Sequence, residues 1–477
     1  MKELPVLLLF LILASTASAS SVQITGCSNL DVNGREYVLT SDIISSQAEI
    51  CMNVSASNVV LDCRNHRIVG ADTNDTGGIV VFMPGSHAKG LTLKNCVIEN
   101  WYYGAFILGA DSSSFINLTI SSSTDSGFFS YLGSGNTFRN IKVTGSGSFG
   151  FVLQNGTSST LVNISSSNNV YDGMILDNSH KNILQDCVAS NNTQNGFYCY
   201  YSDNNTIQAS ISFENNDSGF LLYNSNGNTI KNSSSYGNSL DGIMLFLSGK
   251  ATITSSTFSS NLGEGLNMYN SSGNSFKDVA ARENELSGLY FYQSNDNTID
   301  NASCIGNQAE GLYLLYGDRN TVKNSRFAGN TLAGMFIGQS EHNLIYNNLY
   351  NNSEYSVMFE DYKENYWNTT KKQGSRIASQ GSMIAGNFWA SPTGEGYSEI
   401  CLDEDTDGFC DSPYDLAEGN FDYMALSNKY AGCTLAGDNP PCGQIALSEV
   451  VALINAWSAG QAALSQAIAL INAWAGR

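Results

Sequence analysis

Positive charge is scarce in these 477 residues: 22 lysines and arginines stand against 43 aspartates and glutamates, a formal net charge of −21. That balance argues against nucleic acid and against anionic membrane surfaces, both of which call for a basic footprint. Histidine is scarcer still, and His66, His87, His180 and His342 are scattered without metal-ligand spacing. Beyond residue 19 no apolar run approaches the roughly 20 residues of a membrane helix, so no membrane span is expected. The middle of the chain shows neither a helical period nor a leucine-rich pattern, which excludes helical and leucine-rich solenoids. Two enzyme signatures are also missing: an Asp-Asp pair in a strand, and an Arg or Lys base flanked by clustered aspartates.

What the chain does have is a repeat. Glycine falls every 23 residues from Gly104 through Gly127, Gly150 and onward to Gly334. One offset ladder of asparagine includes Asn182, Asn205 and Asn228, and another runs from Asn169 through Asn192 and Asn215 to Asn330. Between them lie short runs of alternating polarity such as Gly219-Phe220-Leu221-Leu222-Tyr223, bounded by Asn, Ser and Gly. This pattern predicts an all-β fold, a right-handed parallel β-helix whose 23-residue coils each give two or three strands to stacked sheets. Coils about 4.8 Å apart set each asparagine above the next, within amide bonding distance. The glycines are expected where the backbone needs positive φ or close approach.

Breaks in the pattern divide the chain. Residues 1–19 read as a secretory signal, with Lys2, an apolar run and Ala17-Ser18-Ala19. The reading then assigns an N-terminal cap to 20–57, the β-helix to 58–365, a C-terminal cap to 366–431 and a linker to 432–443. A helical hairpin occupies 444–477, where Leu453-Ile454-Asn455-Ala456-Trp457 is repeated as Leu470-Ile471-Asn472-Ala473-Trp474. Ser448 and Ser465 stand where helix N-caps are expected. Eleven cysteines suit an oxidising compartment, with Cys27 and Cys51, Cys401 and Cys410, and Cys433 and Cys442 as candidate disulfides. Sequons at Asn53, Asn117, Asn163, Asn204, Asn232, Asn270, Asn301 and Asn368 permit glycosylation. The product is expected to be secreted or at the cell surface.

Asn365-Tyr366-Trp367, Gly386-Asn387-Phe388-Trp389 and the acidic stretch from Cys401 to Tyr414, together with the coils, resemble the NosD-like family of secreted β-helix proteins. The family name carries a copper-delivery association, yet no cluster of Met, His and Cys is present. The hairpin resembles a dockerin module, which implies a protein partner, but lacks the Asp/Asn calcium loop before each helix. A calcium loop is expected elsewhere. Asp403, Asp405 and Asp407 followed by Gly408 have the D-x-D-x-D-G spacing, with the Phe409 carbonyl and Asp411 as further ligands of a structural ion.

Strand alternation also predicts an outward aromatic stripe: Tyr198, Tyr200, Tyr223, Phe246, Tyr269, Tyr290, Tyr292, Tyr313 and Phe336. Flat rings along a rod suit sugar stacking, and equally a protein interface. Beside them an acidic row, Asp172, Asp241, Glu264 and Glu310, is expected in exposed turns. Asp241 and Glu264 on adjacent coils are weak candidates for a catalytic carboxylate pair. The sequence therefore points to a non-catalytic rod that binds extracellular polysaccharide or a cell-surface partner. A polysaccharide-cleaving enzyme of glycosidase or lyase type, or a self-assembling envelope protein, are the alternatives.

Overall fold

The computed structural model describes residues 21–428 and 445–475. The signal segment, the linker, Cys433 and Cys442 lie outside the described residues. The chain winds into a parallel β-solenoid with a 26-stranded and a 16-stranded sheet, hereafter the first and second sheets. A central coil gives two strands to the first sheet, Thr206–Gln208 and Ile211–Phe213, and one to the second, Phe220–Tyr223. Registers advance by one repeat, with Ile207 opposite Ile230 and Phe220 opposite Ile243. Alternation puts Ile207, Phe220 and Leu222 inside, where they merge with their counterparts into one continuous core.

The bends between strands are made by residues other than the ladder glycines. Asn204, Ala209, Glu214 and Asn224 all hold positive φ within one coil, and asparagine tolerates that conformation better than most residues. The ladder glycines serve close approach instead: a Cβ on Gly242 would sit 2.5 Å from the carbonyl oxygen of Gly265 on the next coil. Both asparagine ladders are buried. Asn215 donates its backbone N–H and its amide to Asn238 Oδ1 (3.1 and 3.0 Å), and Asn238 does the same to Asn261 (3.2 and 2.9 Å). A serine ladder runs in parallel, each backbone N–H of Ser179, Ser202, Ser225 and Ser248 donating to the next serine's Oγ at 2.9 Å. These columns satisfy the turn N–H groups that sheet pairing leaves over.

The solenoid extends beyond its periodic stretch at both ends. Val22–Ile24 pairs with Glu36–Leu39, and that strand with Val60–Asp62. Residues from Val22 to 57, assigned to a cap on sequence, are thus irregular coils of the same stack. Their registers depart from 23 residues in both directions, with Val22 opposite Tyr37, Tyr37 opposite Leu61 and Leu61 opposite Leu93, which hides them from a 23-residue ruler. Cys27–Cys51 and Cys63–Cys96 bridge these coils, and Cys401–Cys410 closes the far end. Cys187, Cys199 and Cys304 are buried thiols.

At the C-terminal end the ladders finish on the Asn-containing motifs. Asn343 donates to Asn365, and Asn365 in turn to Asn420 Oδ1, which also accepts from Trp367 Nε1 (3.0 Å). A neighbouring column passes from Asn348 to Asn387 and stops at Asp422 Oδ2, which also accepts from Trp389 Nε1 (2.9 Å). Phe388–Ala390 pairs with Leu349–Asn351; between them Tyr355–Phe359 still pairs within the second sheet and Tyr366 bridges Leu344, so the excursion within the final coil is 368–386. Trp367, Trp389 and Tyr350 plug the core's end.

The described residues hold three helices: α1 (Tyr397–Ile400), α2 (Leu447–Ser458) and α3 (Leu464–Ala475). None among the described residues is long and apolar enough to cross a membrane. The expected serine caps are not used. Each helix of the pair starts one residue before its serine, and Glu449 and Gln466 close back on the N–H groups of Ala446 and Ala463 (2.7 and 2.9 Å).

Candidate functional site

All nine residues of the aromatic stripe lie on the outer side of the second sheet, in two rows. One row occupies the fourth position after each ladder glycine: Tyr200, Tyr223, Phe246, Tyr269 and Tyr292, with successive ring centroids 5.0–5.5 Å apart. The other occupies the second position, where Tyr290, Tyr313 and Phe336 stack at 4.8 and 4.4 Å. Their rings are half-buried apart from Tyr269, which is exposed.

The stacking changes what the stripe can bind. From Tyr223 to Tyr292 the rings are within 9–17° of parallel, each covering the face of the next along the rod. A sugar ring stacks on an aromatic face, and these faces are taken; the rows present ring edges and phenol hydroxyls outward. Coil spacing forces this, because identical positions about 4.8 Å apart leave no room between rings for anything else.

Ring faces become available where the rows break. On the preceding coil Tyr198 and Tyr200 meet Ile175 and Asp177 in place of another ring, while Tyr200 keeps Tyr223 on the following coil and the edge-on Tyr201 beside it. There a cleft of about 320 Å³ opens on the same face, floored by Phe129, Val152, Ile175, Tyr198 and Tyr200 and edged by Gln154, Asp172, Asp177 and Gln194. None of the residues lining it is Lys or Arg. Gln154 Nε2 donates to Asp177 Oδ2 at 2.6 Å, which fixes both groups at the rim. An apolar floor with few oriented polar groups is the usual make-up of a small-molecule or glycan subsite. Gln154 and Asp177 escaped sequence reading because each occupies the aromatic column and looks like a mere lapse of the repeat, and Gln194 because its column, with Tyr171, Asp217 and Leu240, keeps no constant residue type.

The acidic row is not in exposed turns. Asp172, Asp241 and Glu310 are buried and Glu264 is half-buried. Asp172 Oδ1 accepts from the backbone N–H and amide of Asn195, both at 2.9 Å, yet burial still pushes its pKa up to about 6. Asp241 Oδ1 accepts from Glu264 N–H (2.9 Å) and its Oδ2 from Asn267 Nδ2 (3.0 Å). Burial, and a hydrogen bond with the Asp241 carboxyl, raise the Glu264 pKa well above the carboxylate range. Both Asp241 oxygens are thus taken by N–H groups of the next coil, and the Glu264 carboxyl lies half-buried beside them. Glu310 likewise accepts from Ser287 Oγ at 2.9 Å.

In the C-terminal cap, the carboxylates of Asp403, Asp405 and Asp411 converge within 4.8 Å of one another. Asp403 is 6% exposed; its Oδ2 accepts from Gly408 N–H (3.1 Å), whereas Oδ1 meets no hydrogen-bond partner. The loop thus brings together three of the five expected ligands and could hold a metal. Asp407 turns away to pair with Lys371, and the Phe409 ring lies beneath Lys371 and Arg376. Among the described residues this is the one cluster of its kind, and a hard carboxylate set does not fit copper.

Residues 235–394 match the family described as "Periplasmic copper-binding protein (NosD)", and residues 77–235 the family described as "Right handed beta helix region". No curated relative matches the chain. Similar solved structures include the A-module of Azotobacter vinelandii mannuronan C-5 epimerase AlgE4 (13% identity, TM-score 0.42, covering 71% of this chain and 90% of that one). The periplasmic alginate epimerase AlgG (13%, 0.44, 53% and 72%) and pectate lyase Pel9A (18%, 0.36, 55% and 78%) are others.

Proposed function

We propose, from the premise that this chain is a NosD-like right-handed parallel β-helix repeat protein, that it is an extracytoplasmic rod which binds a neutral polysaccharide without cleaving it. The observation that carries this reading is the cleft beside Tyr198 and Tyr200, where the stacked row ends on the side of Ile175 and Asp177 and where Gln154, Gln194 and Asp177 offer hydrogen-bonding groups suited to sugar hydroxyls. Beyond the cleft, the aromatic rows extend the same face with ring edges at one-coil intervals, most of them carrying a phenol hydroxyl, which suits a ligand that itself repeats. The charge favours a neutral glycan: the chain carries −21, and the cleft holds two carboxyl groups and no cation to pair with a uronate.

Non-cleavage is supported by the state of the candidate pair. A glycosidase pair keeps one ionised and one protonated carboxyl open to substrate on either side of the scissile bond. Asp241 instead is buried with both oxygens accepting from N–H groups of the next coil, and burial beside it keeps the half-buried Glu264 from ionising readily. The Asp403, Asp405 and Asp411 loop would take calcium, an ion suited to carboxylate oxygens, and its role would be to hold the cap on the last coil.

The test is to incubate the mature protein with a panel of neutral and uronic-acid polysaccharides, then measure retention and glycan length. Retention by neutral glycans of unchanged length is expected. Shortened chains, or retention by uronates alone, would overturn the reading.

A further inference from the structure

The hairpin of α2 and α3 is far more apolar than its own packing can use. Leu447, Val450, Val451, Leu453, Ile454 and Trp457 spread over roughly 160° of α2 at 100° per residue, wider than the stripe one neighbouring helix covers. The sequence duplication repeats this set on α3 as Leu464, Ala467, Ile468, Leu470, Ile471 and Trp474. Ile445, Val450 and Leu470 form the buried cluster between the helices, with Leu453, Ile454, Ile471 and Ala473 partly buried against it. The positions left exposed come in matched pairs 17 residues apart: Leu447 with Leu464 (58% and 50%), Val451 with Ile468 (47% and 48%) and Trp457 with Trp474 (41% and 38%).

Two facts identify what covers this surface. A helix pair of about thirty residues with four buried apolar side chains, one of them an alanine, lacks the core to stand alone and gains most from another helical layer. In addition, Glu449 is the one charged residue between Ile445 and Ala475, and its carboxylate is tied to the Ala446 N–H. The rod carries strong negative charge and repels its own kind, whereas the hairpin can meet an identical surface with no like-charge penalty. A duplicated, uncharged, apolar surface is self-complementary in the way a two-fold interface requires.

We propose that the hairpin is a homodimerisation module: α2 and α3 of two molecules pair into a four-helix bundle that buries both sets of exposed Leu, Val, Ile and Trp side chains. Two rods are thereby joined at their C-terminal ends, and a glycan chain meets two binding faces in place of one. This pairing does not depend on the glycan reading, since none of its residues belongs to the second sheet.

Sedimentation velocity of the full chain over a range of concentrations tests it, alongside a Trp457→Ser/Trp474→Ser variant. The parent is expected at twice the monomer mass and the variant at the monomer mass, with the β-helix melting temperature unchanged. A second variant, Val451→Glu/Ile468→Glu, leaves both tryptophans in place and introduces like charges across the interface. Its dimer is expected to dissociate at low salt, while the helical signal at 222 nm shows whether the hairpin persists. A parent that stays monomeric at its highest soluble concentration would overturn the proposal. So would dimers that survive in both variants, because association would then run through the rod.

Discussion

At the scale of single residues, the decisive feature is what the buried polar columns do with hydrogen bonds. Asn238 Oδ1 accepts two bonds from Asn215, and its amide donates to Asn261 and Ser235. Asn238→Ala strands several buried groups at once and should cost about 2–4 kcal/mol, read as a fall in chemical-denaturation midpoint. A loss under about 0.5 kcal/mol would show the ladder to be ornamental. The carboxyls in the columns give the stability an unusual pH dependence. Asp172, with a folded pKa near 6 against an ordinary value near 4, binds its proton more tightly folded than unfolded. Its contribution is therefore full below about pH 4 and lost as pH rises through 6; buried Asp422, near 7, acts in the same sense. Melting temperature should fall between pH 4 and 7, and Asp172→Asn should flatten the part below 6; a rising profile there would contradict the assignment. The asparagine columns were legible because identical residues recur at a fixed interval. The burial of the acidic row was not, since the turns carrying it look hydrophilic until the next coil lies over them.

Among elements, the coil is the unit. Each contacts chiefly its two neighbours, so removing one whole coil preserves every register while shifting part of one disrupts them all. Deleting residues 229–251 joins Asn228 to Thr252, and Thr252 is already the register partner of Thr229. That variant should fold and melt cooperatively close to the parent, whereas one residue inserted after Leu222 should unfold or strongly destabilise the stack, as followed by circular dichroism. If both variants behave alike, the one-dimensional picture fails. The ladder glycines belong to this scale too: Gly242→Ala drives a Cβ against the next coil's backbone and should cost about 1–3 kcal/mol, measured by thermal melting. The 23-residue period predicted the coils that keep it. It missed the first coils, whose repeats are uneven, and misplaced the last, where Asn330 passes its bonds to Asn352 after 22 residues so that Ser356 continues the glycine column one residue early.

For the whole molecule, the account is a stiff acidic rod closed by a tryptophan-plugged cap and carrying its binding face on one sheet. If calcium occupies the Asp403 loop, saturation at about 100 times its Kd adds about 2.7 kcal/mol to the cap. Chelation should then lower the melting temperature, and Asp403→Asn should abolish the difference. Identical melts with and without calcium would remove the ion from the account. The face itself was legible in the sequence as alternation, but its useful part was not: repetition singled out the stacked rows, whereas the cleft arises where the rows are interrupted by Ile175 and Asp177. The most direct test is affinity electrophoresis of the parent and a Tyr198→Ala/Tyr200→Ala variant through gels containing a neutral polysaccharide that retards the parent. The account predicts that the variant loses the retardation while keeping the parent's melting temperature. A stably folded variant retarded as strongly as the parent would contradict it.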